Sequence, residues 1–148
     1  MVQEVFGLNL YTLLANRARF LKRHPLVMAL TVGTSAVWFV FGLWFKVLGM
    51  VPRHELIVAA VAGERAARFL TVLIGLGEIA IALWILSGIR PIVCAALQSV
   101  AIATMNGLEL ILARNLLLAP AVMICANTAL LVAVWYCALK VPPTESLT

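Results

Sequence analysis

Charged residues are scarce in this sequence of 148 residues, where Asp, Glu, Lys and Arg together make up 11%. A soluble domain carries about a quarter charged residues. A chain this short cannot bury its 64% of hydrophobic residues in one aqueous core. The shortage of charge therefore excludes an ordinary soluble domain and a disordered chain. The mean hydropathy of +1.09 indicates an integral membrane protein instead.

Cysteine and histidine are also sparse, which limits the metal chemistry available to the chain. Cys94, Cys125 and Cys137 form no C-x-x-C pair and lie in apolar stretches, so we predict unreactive buried thiols and no zinc site or structural disulfide. His24 and His54 flank the first apolar stretch from opposite ends and cannot share a metal or haem. No metal site is therefore predicted.

The net charge of +5 comes from scattered basic residues without interleaved aromatic residues. A nucleic-acid surface would pair the two in one patch. The predicted partner of these charges is therefore the lipid bilayer, through its headgroups, and we expect no nucleic-acid partner.

Four apolar stretches are long enough to cross a bilayer, which takes about 20 residues. They cover residues 26–48, 69–86, 91–112 and 116–139. Short links make neighbouring helices antiparallel, so the predicted fold is all-α, an integral membrane four-helix up-down bundle. The first link is longer, and its apolar middle, residues 56–63, predicts a short helix at the membrane interface.

The ends of the chain suggest its orientation. Residues 1–24 are predicted to form a cytoplasmic or interfacial segment with an N-terminal amphipathic helix, ahead of a four-helix domain (25–140) and a polar tail (141–148). Basic residues before the first span favour a cytoplasmic N-terminus. With four spans, both termini are then cytoplasmic. The basic residues concerned are Arg17, Arg19, Lys22 and Arg23.

A few polar side chains fall within the predicted spans. An ionisable group at bilayer depth costs at least about 2.5–3.5 kcal/mol, so it usually faces protein or a polar cavity. Each span carries its polar or small residues on one face, at steps of three and four. The candidate ligand-binding or proton-site residues are Trp38, Lys46, Glu78, Gln98, Asn106, Glu109 and Asn127. The sequence assigns no catalytic residue and leaves open whether the protein is an enzyme.

Depth along the spans suggests which polar residues meet. With a rise of about 1.5 Å per residue, Lys46 and Glu109 reach a similar level, which predicts an ion pair between them, with Arg68 as a competitor for Glu109. Glu78 and Asn127 also match in depth. Two interpretations stay open: these groups bind the helices to one another, or they line a polar cavity that binds a ligand or carries protons.

The order of the polar residues resembles that of a known family. The stretch Trp38-Phe-Val-Phe-Gly42-Leu-Trp-Phe-Lys46 is followed by Gly75-Leu-Gly77-Glu78, by Gln98, and by Met105-Asn106 with Glu109. This pattern is similar to the DoxX-like membrane proteins over about residues 36–135. The resemblance implies a four-helix protein of the bacterial inner membrane. Relatives include the membrane subunit associated with thiosulfate–quinone oxidoreductase.

Three functions are compatible with this resemblance and with the polar stripes. The first is a membrane component of a redox or quinone-linked system, with a quinone as candidate cofactor and a membrane redox partner or a second copy as candidate partner. The second is a carrier or binder of a lipid-like or small, weakly polar solute. The third is a structural scaffold without a ligand.

Overall fold

The computed structural model describes residues 15–140, and every regular element within that range is helical. Residues 15–23 are helical and are called α1 here. Helix α2, Pro25–Val40, continues directly as a π-helix, Phe41–Val47. The elements that follow are α3 (Pro52–Ala62), α4 (Glu64–Ser87), α5 (Pro91–Leu112), a 3₁₀ turn (Arg114–Leu116) and α6 (Pro120–Lys140).

Prolines and glycines set the boundaries of these helices. Proline occupies the first turn of α2, α3 and α5, where its missing N–H costs no hydrogen bond. Gly49, Gly63 and Gly88 have positive φ angles of 67°, 88° and 68° and follow the π-helix, α3 and α4. Glycine tolerates this left-handed region, so each helix can end where the chain turns.

Between residues 15 and 140, four helical segments are long and apolar enough to cross a membrane. They are Pro25–Val47, Glu64–Ser87, Pro91–Leu112 and Pro120–Lys140. At most 33% of the most apolar window of each is buried, so apolar side chains cover the outside. The protein is therefore an all-α membrane protein, as predicted.

Two predicted boundaries were wrong, and each has a local cause. The second span begins at Glu64 rather than residue 69, because the charged residues before its apolar part are already helical. The fourth begins at Pro120 rather than residue 116, because residues 114–116 form a 3₁₀ turn and Leu117 is extended. The predicted short helix of the first link is α3. Most of the predicted N-terminal amphipathic helix and the polar tail lie outside the described residues.

The first and second spans approach each other closely at two glycines. A Cβ atom added to Gly42 would lie 2.5 Å from the carbonyl oxygen of Gly75, and one added to Gly75 would lie 2.7 Å from that of Gly42. Both distances are shorter than atoms tolerate, so only glycine allows this packing. Farther along the same interface, Ser35 Oγ donates to the carbonyl oxygen of Ala82 at 3.0 Å.

The third and fourth spans join this pair through apolar packing and indole hydrogen bonds. Trp38, Ala82 and Ile102 form a buried cluster contributed by three spans. Trp135 Nε1 donates to Ser99 Oγ at 3.0 Å and links α6 to α5. The spans thus surround a small core that also contains polar side chains.

Substitution of Gly75 by alanine should separate the two closest spans. We expect Gly75→Ala to lower the free energy of unfolding by about 1–3 kcal/mol, because the added methyl group overlaps the π-helix at Gly42, Lys46 and Val47. Unfolding in mixed detergent micelles measures this effect.

Gly77→Ala is the matched control, because it lies on the same helix and a Cβ there meets no atom within 4 Å. It should be neutral or stabilising by up to about 1 kcal/mol, the difference in helix propensity. Equal losses for the two variants would contradict the close packing at Gly75.

Candidate functional site

A cavity of about 340 Å³, called the main cavity here, lies among the π-helix, α3 and the spans. Its polar lining includes six of the seven predicted residues, namely Trp38, Lys46, Glu78, Asn106, Glu109 and Asn127. The rest of the wall is largely apolar and includes Ile57, Ile102, Met105, Met123 and Leu130. The polar stripes of the separate spans therefore converge on the same space.

The strongest polar contact at this cavity joins Lys46 to Glu78. Lys46 Nζ donates to Oε1 at 2.6 Å and to Oε2 at 2.8 Å. The two side chains are only 4% and 5% exposed. Each charge would be unfavourable alone at this depth, so each neutralises the other.

The predicted ion pair between Lys46 and Glu109 is therefore wrong. Depth alone suggested that pair, but depth does not say which helices are neighbours. The contact between Gly42 and Gly75 brings the π-helix against α4, so Lys46 lies beside Glu78 of that helix. Glu109 lines the same cavity from α5.

The predicted competition of Arg68 for Glu109 is also not found. Arg68 Nη1 donates to the carbonyl oxygen of Lys46 at 3.0 Å, and Nη2 donates to that of Val47 at 2.8 Å. Its guanidinium lies 3.7 Å from Glu55 in a pair exposed to solvent. Arg68 thus caps the last carbonyl groups of the π-helix.

Gln98 lies behind the main cavity rather than in its wall. Its Oε1 accepts a hydrogen bond from Trp38 Nε1 at 2.8 Å, and its Nε2 donates to the carbonyl oxygen of Cys94 at 3.2 Å. Gln98 is 2% exposed. It therefore fixes the indole ring of Trp38 against the cavity, with no direct face toward it.

The two asparagines of the cavity bind each other. Asn127 Nδ2 donates to Asn106 Oδ1 at 2.7 Å and joins α6 to α5. The depth match of Asn127 with Glu78 therefore corresponds to no bond between them, although both line the cavity. An amide offers two donors and an acceptor with two lone pairs. The pair thus keeps hydrogen-bonding capacity for another group.

Helix α3 adds two polar residues that the sequence did not single out, Arg53 and His54. The imidazole of His54 stacks on Phe45, with 5.6 Å between ring centroids. Burial, together with the nearby charges of Lys46 and Arg53, lowers the pKa of His54 to about 4. His54 is consequently neutral at neutral pH. Only the docking of α3 brings these residues to the cavity, and no spacing rule signals it.

Metal binding has no support in the part of the chain that the structure describes. No three His, Cys, Asp or Glu side chains there are grouped to hold a metal ion. The three cysteines carry free thiols, of which Cys94 is buried but Cys125 is exposed. Cys137 is partly exposed, so the expectation that all three are buried holds only for Cys94.

Loss of either member of the buried ion pair should destabilise the protein strongly. We expect Lys46→Met or Glu78→Gln alone to lower the free energy of unfolding by about 3–5 kcal/mol, since the partner is left as an uncompensated buried group. The double variant should recover most of that loss. A double-mutant cycle measured in mixed micelles gives the coupling energy.

Glu55→Gln is the control for this cycle, because it removes one carboxylate from a pair whose side chains are 50% and 43% exposed. It should cost less than about 1 kcal/mol. Additive losses in the Lys46 and Glu78 variants would show that the two residues do not interact.

Comparison with known proteins supplies a family for this arrangement. The sequence pattern of the DoxX-like family matches residues 35–135, which include all seven predicted residues. No curated protein and no solved structure matches the chain. The match covers most of the chain and confirms the resemblance carried by the Trp38, Glu78 and Asn106 segments. The chain therefore belongs to the DoxX-like family.

Proposed function

We propose that this protein is a multi-pass component of the bacterial inner membrane that binds a quinone in its main cavity as part of a redox system. The observation that carries the proposal is the convergence of six separated predicted residues, joined by Arg53 and His54, on a largely apolar cavity of about 340 Å³. Small-molecule sites have volumes of about 300–1,000 Å³, with mostly apolar walls and a few polar groups. The main cavity matches this description.

The polar residues of the cavity fit the two ends of a quinone ring. A quinone ring is flat and apolar and carries two carbonyl oxygens that accept hydrogen bonds. The amide of Asn106 or Asn127 and the guanidinium of Arg53 are donors that can bind these oxygens. The wall that includes Ile102 and Met105 can contact the ring and its isoprenoid tail. A cavity of this size holds the ring, and the tail would extend toward lipid.

The residues also suggest how protons could reach such a ligand. A bound quinone takes up two electrons and two protons when it is reduced to a quinol. Glu109 lines the cavity, and no cation among residues 15–140 forms an ion pair with it of the kind that Lys46 forms with Glu78. Its carboxyl group is therefore the candidate that could hold a proton beside the ligand. The electrons would come from a membrane redox partner, which the family resemblance suggests.

The two other candidate functions make different predictions about what the main cavity contains. A scaffold without a ligand would need polar groups that only pack, and an open volume of about 340 Å³ does not favour packing alone. A lipid-like or weakly polar solute could enter the same space. The chemical identity of a bound molecule separates this second candidate from a quinone.

We also propose an up-down topology with both termini in the cytoplasm. In this arrangement residues 1–24 form the interfacial segment, 25–140 the membrane domain and 141–148 the tail. Two contacts support antiparallel neighbours. Arg17, which precedes the first span, bonds to Ile85 near the end of the second. Arg68, near the start of the second, bonds to the carbonyl of Lys46 near the end of the first.

Reporter fusions in bacteria test this orientation. Alkaline phosphatase, which is active only outside the cytoplasm, should be active when fused after Asn115 and inactive after Lys140, because one span separates the two points. Green fluorescent protein should give the opposite pattern. An active phosphatase after Lys140 would contradict the proposed topology.

A bulky side chain placed in the main cavity should displace the ligand without any polar residue being replaced. Ala126 lines the cavity on α6, whereas Ala129 lies on the same helix and is not part of the lining. We expect the protein, extracted gently and examined by native mass spectrometry, to carry one isoprenoid quinone per chain. Ala126→Phe should lose it, and Ala129→Phe should keep it.

The identity of the co-purified molecule decides among the proposals. A non-quinone lipid that Ala126→Phe displaces would support the carrier or binder instead. A wild-type protein that retains no small molecule, even after incubation with a short-chain quinone, would contradict ligand binding and favour the scaffold.

A further inference from the structure

A smaller cavity of about 40 Å³ lies where α4 turns into α5, and it is called the arginine cavity here. Arg17 of α1 lines this cavity together with Gly88 and Pro91. Arg17 is 6% exposed, although arginine is rarely buried without an anionic partner. This guanidinium has no part in the main cavity and needs a separate explanation.

The hydrogen bonds of Arg17 account for only part of its donors. Nη2 donates to the carbonyl oxygen of Ile85 at 2.8 Å and so caps the last turn of α4. Nε and Nη1 are buried and have no hydrogen-bond partner among residues 15–140. A guanidinium has five N–H donors and keeps its charge, and a buried donor without an acceptor is unfavourable. The described residues therefore supply no acceptor for these two donors.

The arginine fits closely over the end of α4. A Cβ atom on Gly88 would collide with the guanidinium group, so the glycine makes room for it. Pro91, the first residue of α5, lines the same cavity, and the start of a helix carries a partial positive charge. Two positive features thus meet in the arginine cavity, and they favour an anion there.

The described carboxylates lie elsewhere. Glu78 binds Lys46, and Glu55 lies beside Arg68. Glu64 begins α4, roughly 30 Å along the helix from Ile85, and Glu109 is about 22 Å along α5 from Cys94. Burial lowers the pKa of Arg17, and the thiols of Cys137 and Cys94 oppose the shift. Among residues 15–140, no carboxylate is therefore placed to neutralise this charge.

We propose that Arg17 binds a phosphate-type oxyanion in the arginine cavity, with Nε and Nη1 as the donors. About 10–15 Å³ suffices for one water-sized group, so the cavity holds some oxygens of a phosphate while the rest remains at the open side. The position is at the end of the spans, where lipid headgroups lie. The phosphate can therefore come from an anionic lipid or from inorganic phosphate.

Lipid titration of the full chain in detergent tests this site. Native mass spectrometry should show one tightly retained phosphatidylglycerol per chain, in preference to a phosphate-free galactolipid. Arg17→Gln should weaken retention by about tenfold or more, because a charged donor is lost from a buried site. Arg23→Gln removes the same charge from an exposed position of α1 and should change retention less than about twofold.

Thermal unfolding with added inorganic phosphate distinguishes the two sources. Stabilisation of the wild type by inorganic phosphate, absent in Arg17→Gln, would assign the site to the free anion as well as to a headgroup. Stabilisation by phosphatidylglycerol alone would assign it to lipid. If Arg17→Gln does not fold, Arg17→Lys replaces it, because lysine keeps the charge but lacks the planar set of donors. Arg17→Lys should also retain less lipid than the wild type.

Three results would overturn the proposal. The wild type could show no preference for phosphatidylglycerol and no response to inorganic phosphate. Arg17→Gln and Arg23→Gln could lose retention equally, which would indicate diffuse attraction to anionic lipid. Finally, the wild type could bind no oxyanion while Glu4→Gln/Glu145→Gln does. That result would identify a carboxylate outside the described residues as the partner of Arg17.

Discussion

The buried ion pair of Lys46 and Glu78 is the constraint on which the arrangement of the polar residues depends. Neither charge is tolerated alone at membrane depth, so the π-helix and α4 must stay close enough for the ammonium to reach the carboxylate. Gly42 and Gly75 permit that distance because neither carries a Cβ. The pair in turn fixes one wall of the main cavity, and Trp38, tied to Gln98, fixes the next.

At each end of the spans an arginine binds backbone carbonyl groups, but the surroundings of the two arginines differ. Arg68 caps the carbonyl groups after the first span, and Arg17 caps a carbonyl at the end of the second. Beside Arg68 lies the carboxylate of Glu55. Arg17 has no described carboxylate near it and keeps two buried donors without an acceptor. The charge of Arg68 is thus balanced within the chain, whereas for Arg17 we propose an external anion.

Composition predicted the membrane class and the four spans, because apolar length decides both. Helical spacing also predicted six of the residues that line the main cavity, since residues on inward faces must converge. The pairing of Lys46 was missed because depth along a helix does not reveal which neighbour is nearest, and two glycines decide that. The contribution of His54 was missed because it depends on how α3 docks. Gln98 shares a face with Asn106 but packs behind Trp38, a difference that only side-chain contacts reveal.

The central claim is that Lys46 and Glu78 form the ion pair that organises the cavity. Solid-state NMR of isotope-labelled protein in bilayers tests it through dipolar coupling between lysine Nζ and glutamate Cδ. We expect one strong coupling in the wild type that disappears in Glu78→Gln and persists in Glu109→Gln. A coupling that disappears in Glu109→Gln instead, or a wild type without any such coupling, would contradict the account.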